Sequence, residues 1–419
     1  MNKTPAVRFK GFTEDWEQQK LEEISDVRDG THDSPVYQDE GHPFVTSKNV
    51  KNGYINFDGI QYISDYDFFE INKRSKVDIN DILMGMIGTI GNLALIRTEP
   101  NFAIKNVALI KDTKNVSYLY LYHYLKSSSI ERQLLFGMDG GTQKFVSLKK
   151  IRELKIQIPD DDEQIKLGTF MESLDNLIVF YQRKYEKLVN IKKSMLYKMF
   201  PQNGSKVPEI RFTGFTDDWE QQAFEKAFDF LQNNTLSRAE LNNENGVAKN
   251  VHYGDVLIKF GEYLDISNSV LPYITSQLVT NRFRSSLLKN GDVVMADTAE
   301  DETVGKCTEL AGISHYPIIS GLHTIPLRPK IKFAAGYLGY YMNSSRYHNQ
   351  LLPLIQGTKV SSISKNALKN TSILFPSKTD EQRLIGQFFI QLDDLIIFHQ
   401  RKLEKLKQLK QAMLHKMFV

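Results

Sequence analysis

DEQIKLGTFMESLDNLIVFYQRKYEKLVNIKKSMLYKMF at 162–200 recurs as DEQRLIGQFFIQLDDLIIFHQRKLEKLKQLKQAMLHKMF at 380–418, with 22 of 39 positions identical. In the first copy Leu167, Leu174, Tyr181, Leu188 and Met195 stand seven apart, and Phe170, Met171, Leu177, Ile178, Tyr185, Ile191 and Met199 fill the intervening steps. That spacing writes one apolar stripe along a helix. The second copy repeats it with Ile385, Leu392, His399, Leu406 and Met413. Asp161 with Gln164, and Thr379 with Gln382, have capping-box spacing, with Pro159 and Pro376 just upstream. Lysines crowd the C-terminal turns, where the helix dipole favours cations. About 37 residues at 1.5 Å each make a rod of roughly 55 Å. Such a stripe is too long for a small core and occurs twice, so mutual pairing is the expected burial.

Working outward, a second duplication opens each half. PAVRFKGFTEDWEQQ at 5–19 returns as PEIRFTGFTDDWEQQ at 208–222, identical at eleven of fifteen positions and using both tryptophans of the chain, Trp16 and Trp219. Weaker echoes lie between. HPFVTSKNV at 42–50 resembles LPYITSQLV at 271–279, NDILMGM at 80–86 resembles GDVVMAD at 291–297, and Gly141-Thr142 matches Gly357-Thr358. The halves are therefore 5–200 and 208–418, each a variable body followed by a closely preserved tail. The bodies, roughly 20–158 and 224–375, carry short β-rich runs such as Pro43–Val45, Asp81–Met84, Leu93–Ile96 and Val107–Ile110 between Gly and Asn, which points to mixed α/β folds. SYLYLYHYLKSS at 117–128, echoed by AAGYLGYYMNSS at 334–345, has helical spacing. Its tyrosines suit either stacking on bases or packing against a sheet, the blander alternative.

Composition bounds the rest. The chain has 419 residues, 41% hydrophobic and 25% charged, which fits two or three ordinary globular domains. One cysteine, Cys307, cannot form an internal disulfide, so a reducing cytoplasm is the expected location. No apolar run suggests a signal peptide at the N-terminus or a membrane span anywhere. Net charge is only +3, and the tails 163–200 and 381–419 each carry seven Lys/Arg against four Asp/Glu. A nucleic-acid surface must then be a local arrangement of basic groups on a near-neutral body.

A search for chemistry returns nothing catalytic. No two prolines are adjacent, which removes the Asp/Asn-Pro-Pro-aromatic site of adenine methyltransferases, and Cys307 follows Lys306 where a cytosine-methylating nucleophile would follow proline. There is no GxxxxGK[ST] phosphate loop, no GxGxxG, no HExxH and no Cys/His metal spacing. Pro159-Asp160 lacks the downstream Asp/Glu-x-Lys of a common nuclease core. His32, His252 and His323 read as loop or core residues. The expectation is a chain without catalytic residues, metal or cofactor of its own.

The layout, a body opened by RFxGFxxDWE and closed by GT…P…DEQ, a long helix, and the same again, resembles the specificity subunit of type I restriction–modification systems over essentially the whole chain. The resemblance implies an α+β fold with an internal pseudo-two-fold repeat, in which two globular mixed α/β target-recognition domains are joined by two long helices forming an antiparallel coiled coil. The first target-recognition domain would span 5–158 and the second 208–375. The spacer helices would occupy 159–206, with its linker, and 376–419. It further implies double-stranded DNA with a split target as ligand. Two methyltransferase subunits bringing S-adenosylmethionine, and two motor-nuclease restriction subunits using ATP and magnesium, would be the partners.

DNA contacts are sought among polar or basic loop residues at repeat-equivalent places. Lys48 and Asn49 follow VTS, and Gln277 follows ITS; Thr142, Gln143 and Lys144 follow a Gly-Gly turn, and Thr358 and Lys359 follow Gly357. Arg74, Arg282 and Arg284 complete the set. Arg, Lys, Asn and Gln suit base edges, whereas Ser, Thr and Lys often hold phosphates. Two rival readings stay open: a duplicated coiled-coil adaptor that binds two proteins and no DNA, and an autonomous endonuclease.

Overall fold

The computed structural model of the chain describes residues 4–137, 144–357 and 359–419. Both long helices are present, at Asp161–Lys198 and Thr379–Lys416. The chain divides into two compact units, and the division cuts each long helix in two. Met1–Gln182 with Arg401–Val419 form the first unit, and Arg183–Gln400 the second.

The first unit carries β1 (Glu17–Lys20), β2 (Val27–Asp29), β3 (His42–Thr46), β4 (Gln61–Ile63), β5 (Ile82–Gly85), β6 (Leu93–Leu95), β7 (Ala103–Lys105), β8 (Val107–Ile110) and β9 (Lys155–Ile158). Four form the antiparallel sheet β2-β8-β5-β6, three form β4-β3-β7 with β3 and β7 parallel, and β1 pairs with β9. The runs ILMG of β5 and VALI of β8 are apolar throughout because both faces of their sheet are covered. Successive side chains point to opposite faces. Ile82, Met84, Ala108 and Ile110 therefore join Trp16, Tyr120, Leu167 and Met171 in one core, whereas Leu83, Val107 and Leu109 join Val45, Val50 and Ile104 in another.

The preserved motifs of the first half meet where the body joins its helix. Arg8 donates from Nε and Nη2 to the two carboxylate oxygens of Glu163, at 2.7 and 2.8 Å, and the Trp16 indole donates to Oε2 at 3.1 Å. Gln164 donates to the Pro159 carbonyl and accepts the Ser117 amide. The capping expectation shifts accordingly: Asp160 accepts the amide of Glu163 at 2.9 Å, and Gln164 is drawn towards the body. Leu406, Met417 and Phe418 complete this core, with Phe418 stacked on Tyr120 at 5.8 Å. Lys410 pairs with Asp175, and the Val7 amide, beside Arg8, donates to the Lys416 carbonyl. Within this unit the two helical segments thus run antiparallel.

The second unit repeats the plan with β10 (Glu220–Ala223), β11 (Phe228–Phe230), β12 (Ala248–Val251), β13 (Tyr263–Asp265), β14 (Tyr273–Ile274), β15 (Val293–Ala296), β16 (Thr298–Ala299), β17 (Cys307–Ala311), β18 (Ile318–Ser320), β19 (Thr324–Pro329), β20 (Ser361–Ser362) and β21 (Ser372–Phe375). Its larger sheet, β11-β19-β15-β17-β13, gains the edge strand β13, and its smaller one is β14-β12-β18. Arg211 grips Glu381 as Arg8 grips Glu163, and Phe200 lies among Trp219, Tyr337 and Phe389 as Phe418 lies beside Tyr120 and Tyr124. Lys192 pairs with Asp393 at 2.6 Å, the counterpart of Lys410 with Asp175. The helix start differs from expectation here too, since the Glu381 amide donates to the Lys378 carbonyl and Thr379 is the first helical residue.

Two sequence expectations are corrected. HPFVTSKNV contains β3, the centre of its sheet, but LPYITSQLV contains the edge strand β14. The partner of β14 in the repeat is β4: each pairs antiparallel with the central strand and leads into a helix, Gln277–Arg282 or Asp65–Ser75. Lys48 and Gln277 are therefore not equivalent, and two short β-runs of similar composition misled the alignment. The tyrosine-rich helices Tyr118–Tyr124 and Tyr337–Asn343 bury Tyr120, Tyr122, Tyr124, Tyr337, Tyr340 and Tyr341 fully, so they pack and do not stack on bases.

Candidate nucleic-acid interface

Strand register gathers the C-terminal ends of four strands at one end of the first body. Asp29 pairs with Ala108, Gly85 with Val107, and Thr46 with Lys105. Between Lys105 and Val107 the chain turns through Asn106 at φ 52°, a left-handed conformation that asparagine tolerates better than most residues. Loops from all these strands meet here. Ser47, in the 3-10 turn Ser47–Asn49 after β3, donates to the Asn106 carbonyl and accepts the Met86 amide at 3.0 Å, and its own carbonyl accepts from Thr89. Val146 donates to the Met86 carbonyl, which brings Lys144 and Phe145 alongside.

Three of the expected contacts lie on this end with exposed side chains. Lys48 projects from the turn, Lys144 from the segment beside residues 86–89, and Arg74 from the last turn of Asp65–Ser75. Arg74 donates to Asp29 Oδ1, while the other Asp29 oxygen lies 2.9 Å from His32 Nε2. Asn49 faces inward. It is buried, its Oδ1 accepts from the Thr46 amide and hydroxyl, and its Nδ2 donates to the Asn56 carbonyl, so it shapes the turn and offers no free edge. Thr142 and Gln143 lie outside the described residues, as does Thr358.

The same end of the second body is built from the ends of β12, β15 and β18 and the start of β19, with Val251 opposite Ser320 and Ala296 opposite Thr324. His323 takes the left-handed turn here, at φ 55°, with its Nδ1 3.5 Å from Asp297 and its ring edge-on to Tyr253. Gln277, Arg282, Arg284 and Lys359 are all exposed. Gln277 donates to Asn281 at 3.1 Å, and the Arg282 guanidinium lies over the Phe283 ring. Ser286, two residues beyond Arg284, accepts the Gln232 amide just past β11, which places this helix end near the strand ends. The loop Glu300–Thr303 adds exposed carboxylates where the first body has the uncharged GTIGN at 88–92.

Sequence reasoning missed His32, Lys105 and Asn106 in the first body and Tyr253 and His323 in the second. The available signal was a lone Asn or His between two apolar runs, KNV at 105–107 and LHT at 322–324, a spacing that suits a left-handed turn between strands.

One group among the described residues could hold a cation by geometry, His123 with Glu172 and Asp175, whose ligand atoms lie within 4.8 Å of one another. Its charges are already matched. Arg97 clamps both oxygens of Glu172 at 2.6 and 3.0 Å, and Lys410 takes Asp175. The neighbouring His123 imidazole and the Arg97 fork hold Glu172 down to about 2. A divalent cation would have to displace these cations, so the cluster is an ion-pair network. Cys307 is buried, which pushes its thiol well above the usual range and makes it a poor nucleophile. No helix among the described residues is long and apolar enough to cross a membrane.

Comparison with known proteins bears on this architecture directly. The family model described as "Type I restriction modification DNA specificity domain" matches residues 13–190 and again 217–408. The chain is 22% identical to the putative type I restriction enzyme MjaX specificity subunit of Methanocaldococcus jannaschii, covering 96% of this chain and 92% of that one. It is 25% identical to the MjaVIII specificity subunit of the same organism, covering 89% and 87%. In fold it is similar to the crystal structure of the type I restriction–modification S subunit from M. genitalium, with a TM-score of 0.62 at 13% identity over 99% of both chains. A chain from a structural study of assembly and conformational transition of the type I R-M system gives 0.52 at 17% identity, over 96% and 97%. With two copies of the domain spanning most of its length, the chain belongs to the type I restriction–modification DNA specificity family.

Proposed function

We propose that the chain is the DNA-recognition subunit of a type I restriction–modification complex, each body reading one half of a split target and directing adenine methylation or restriction by partner subunits. The observation that carries this reading is the specificity-domain match falling twice, once on each copy of the repeat. The strand-end surfaces support it: Lys48, Lys144, Lys105 and the helix-end Arg74 in the first body, and the helix-end Arg282 with Arg284 and Lys359 in the second, put donors suited to phosphates and base edges at one end of rigid sheets, whereas Gln277 opens its helix beside Ala248 at the other end of β12. Because the loops differ, with carboxylates at 300–302 in the second body only, the half-sites differ in sequence.

Chemistry is supplied by the partners. Two methyltransferase subunits bring S-adenosylmethionine, two restriction subunits bring ATP- and magnesium-dependent translocation and cleavage, and the complex works in the cytoplasm. The methyltransferases dock along the long helices, where Leu177 and Val179 of one copy and Leu395 and Ile397 of the other are exposed.

The test is to map modified adenines in DNA exposed to the complex, with the second body, 224–375, replaced by that of a relative. One half of the modified sequence changes and the other persists. No sequence preference, or binding whose affinity is indifferent to salt, would leave the adaptor reading in its place. The chain alone, given DNA, S-adenosylmethionine, ATP and magnesium, neither methylates nor cleaves.

A further inference from the structure

We infer that Asn106 reads a base edge for the first body and that His32 is its positioning residue; this rests on the DNA-recognition reading above. The backbone of Asn106 is fixed from both sides. Its amide donates to the Thr31 carbonyl at 3.3 Å, and its carbonyl accepts from Ser47. With φ at 52°, its side chain leaves the strand ends in a direction that neighbouring residues do not share. His32 Nδ1 lies 2.6 Å from the amide oxygen position of Asn106, and Asn106 Nδ2 has no hydrogen-bond partner among the described residues. On its other side His32 Nε2 meets Asp29 Oδ2, and Asp29 Oδ1 accepts from Arg74. A relay of four side chains thus ends on one half-buried amide at the mouth of the body.

The relay has a chemical consequence. Asp29 only accepts, so a neutral His32 carries its proton on Nε2 and turns a lone pair at Nδ1 towards Asn106. The amide then presents its NH2 to His32 and its oxygen outward, an orientation that the nearly identical shapes of the two amide ends leave to the hydrogen-bond network. An outward oxygen accepts from an exocyclic amine, the N6 of adenine or the N4 of cytosine, and leaves thymine and guanine without a partner in the major groove. His32 decides which end of Asn106 faces the DNA, and Arg74, held by the same carboxylate, stands beside it for a phosphate.

The experiment uses the complex assembled with its methyltransferase subunits, on a DNA library randomised over the target, reading modified adenines by sequencing. Asn106→Gly keeps the left-handed turn and removes the amide. It is expected to relax discrimination about tenfold or more at one base of the half-site read by the first body, with the other half-site unchanged. Asn106→Asp keeps an outward acceptor and retains the preference for an amine-bearing base. His32→Ala relaxes the same single position. Loss of preference in Asn106→Asp, an unchanged profile in Asn106→Gly, or relaxation of both half-sites together would overturn the inference while the DNA-recognition reading stood. A wild-type complex without any sequence preference would overturn that reading itself.

Discussion

Arg8 and Arg211 each close a bidentate clamp on a glutamate with almost no solvent exposure, Glu163 and Glu381. Removing one partner of such a pair strands a charge in the interior, so Arg8→Ala is expected to destabilise the first unit by about 3–5 kcal/mol. Arg8→Lys, which keeps the charge and loses the fork, should cost less. Denaturant unfolding followed by tryptophan fluorescence checks both, because Trp16 touches the clamp directly. In the second copy the Trp219 indole N–H has no partner among the described residues, so Trp16→Phe should cost more than Trp219→Phe by about the worth of one hydrogen bond to a charged group, ~1.5–3 kcal/mol. Glu309 gives the second unit a pH dependence. Burial raises its carboxyl to about 7, against the pull of the Gly336 and Gly339 amides that it accepts at 2.8 and 3.0 Å. The folded state then holds a proton that the unfolded chain has released. Stability contributed at this site falls as pH rises from about 4.5 to about 7 and is level above, with a slope of at most about 1.4 kcal/mol per unit. Glu309→Gln should lie lower, having lost an acceptor, and lack that slope in unfolding measured across the window. At this scale the sequence disclosed residue types and little else. It marked Lys48, Arg74 and Lys144 as candidate donors, yet Asn49 looked equally suitable until the turn consumed its amide. His32 looked ordinary because Asp29, three residues before it, is one carboxylate among many, and Asn106 reaches it only through the bridge between Thr31 and Lys105.

The long helices were legible because a sevenfold apolar stripe has no competing explanation over 38 residues. Strands were legible as apolar runs, but not their partners, since a sheet covered on both faces loses the alternation that would reveal register. That is how β14 could be mistaken for the relative of β3. Each long helix also contains a glycine at the same place, Gly168 and Gly386, where propensity would favour alanine. The body explains them. A Cβ on Gly168 would lie 2.8 Å from Leu119 Cβ and the Tyr120 amide, and one on Gly386 would lie 2.4 Å from the Ala335 carbonyl. Gly168→Ala and Gly386→Ala are therefore expected to destabilise by about 1–3 kcal/mol, as overpacking does, although the same change on an exposed helix would stabilise by up to ~1 kcal/mol. Thermal unfolding of the two variants decides the sign.

For the whole molecule, we propose that the two long helices set the spacing of the half-sites, and their ends are built into cores. Met199 and Phe200 are core residues of the second unit, Met417 and Phe418 of the first. Lengthening one helix alone would set its anchored end against the other. Four residues inserted in both, after Gln182 and after Gln400, add about 6 Å, close to two base-pair rises, and keep each apolar stripe roughly in phase. The modified sequence should then keep both halves and gain one or two base pairs between them, with some affinity lost to the added rotation. Sites with the original spacer would show that the helices do not set the distance.

The placement of Phe418 against Tyr120 also bears on how the protein is made. While a ribosome is still translating the second body, the first has its sheets and its arginine clamp but a hole where Leu406, Met417 and Phe418 belong. A chain stopped early in the second half lacks that part of the first core, and its first half is expected to unfold at lower denaturant than in the full chain. Cells that carry this gene would then be spared a half-built reader loose among their methyltransferases, because an unfinished chain is left to the proteases that clear unfolded protein.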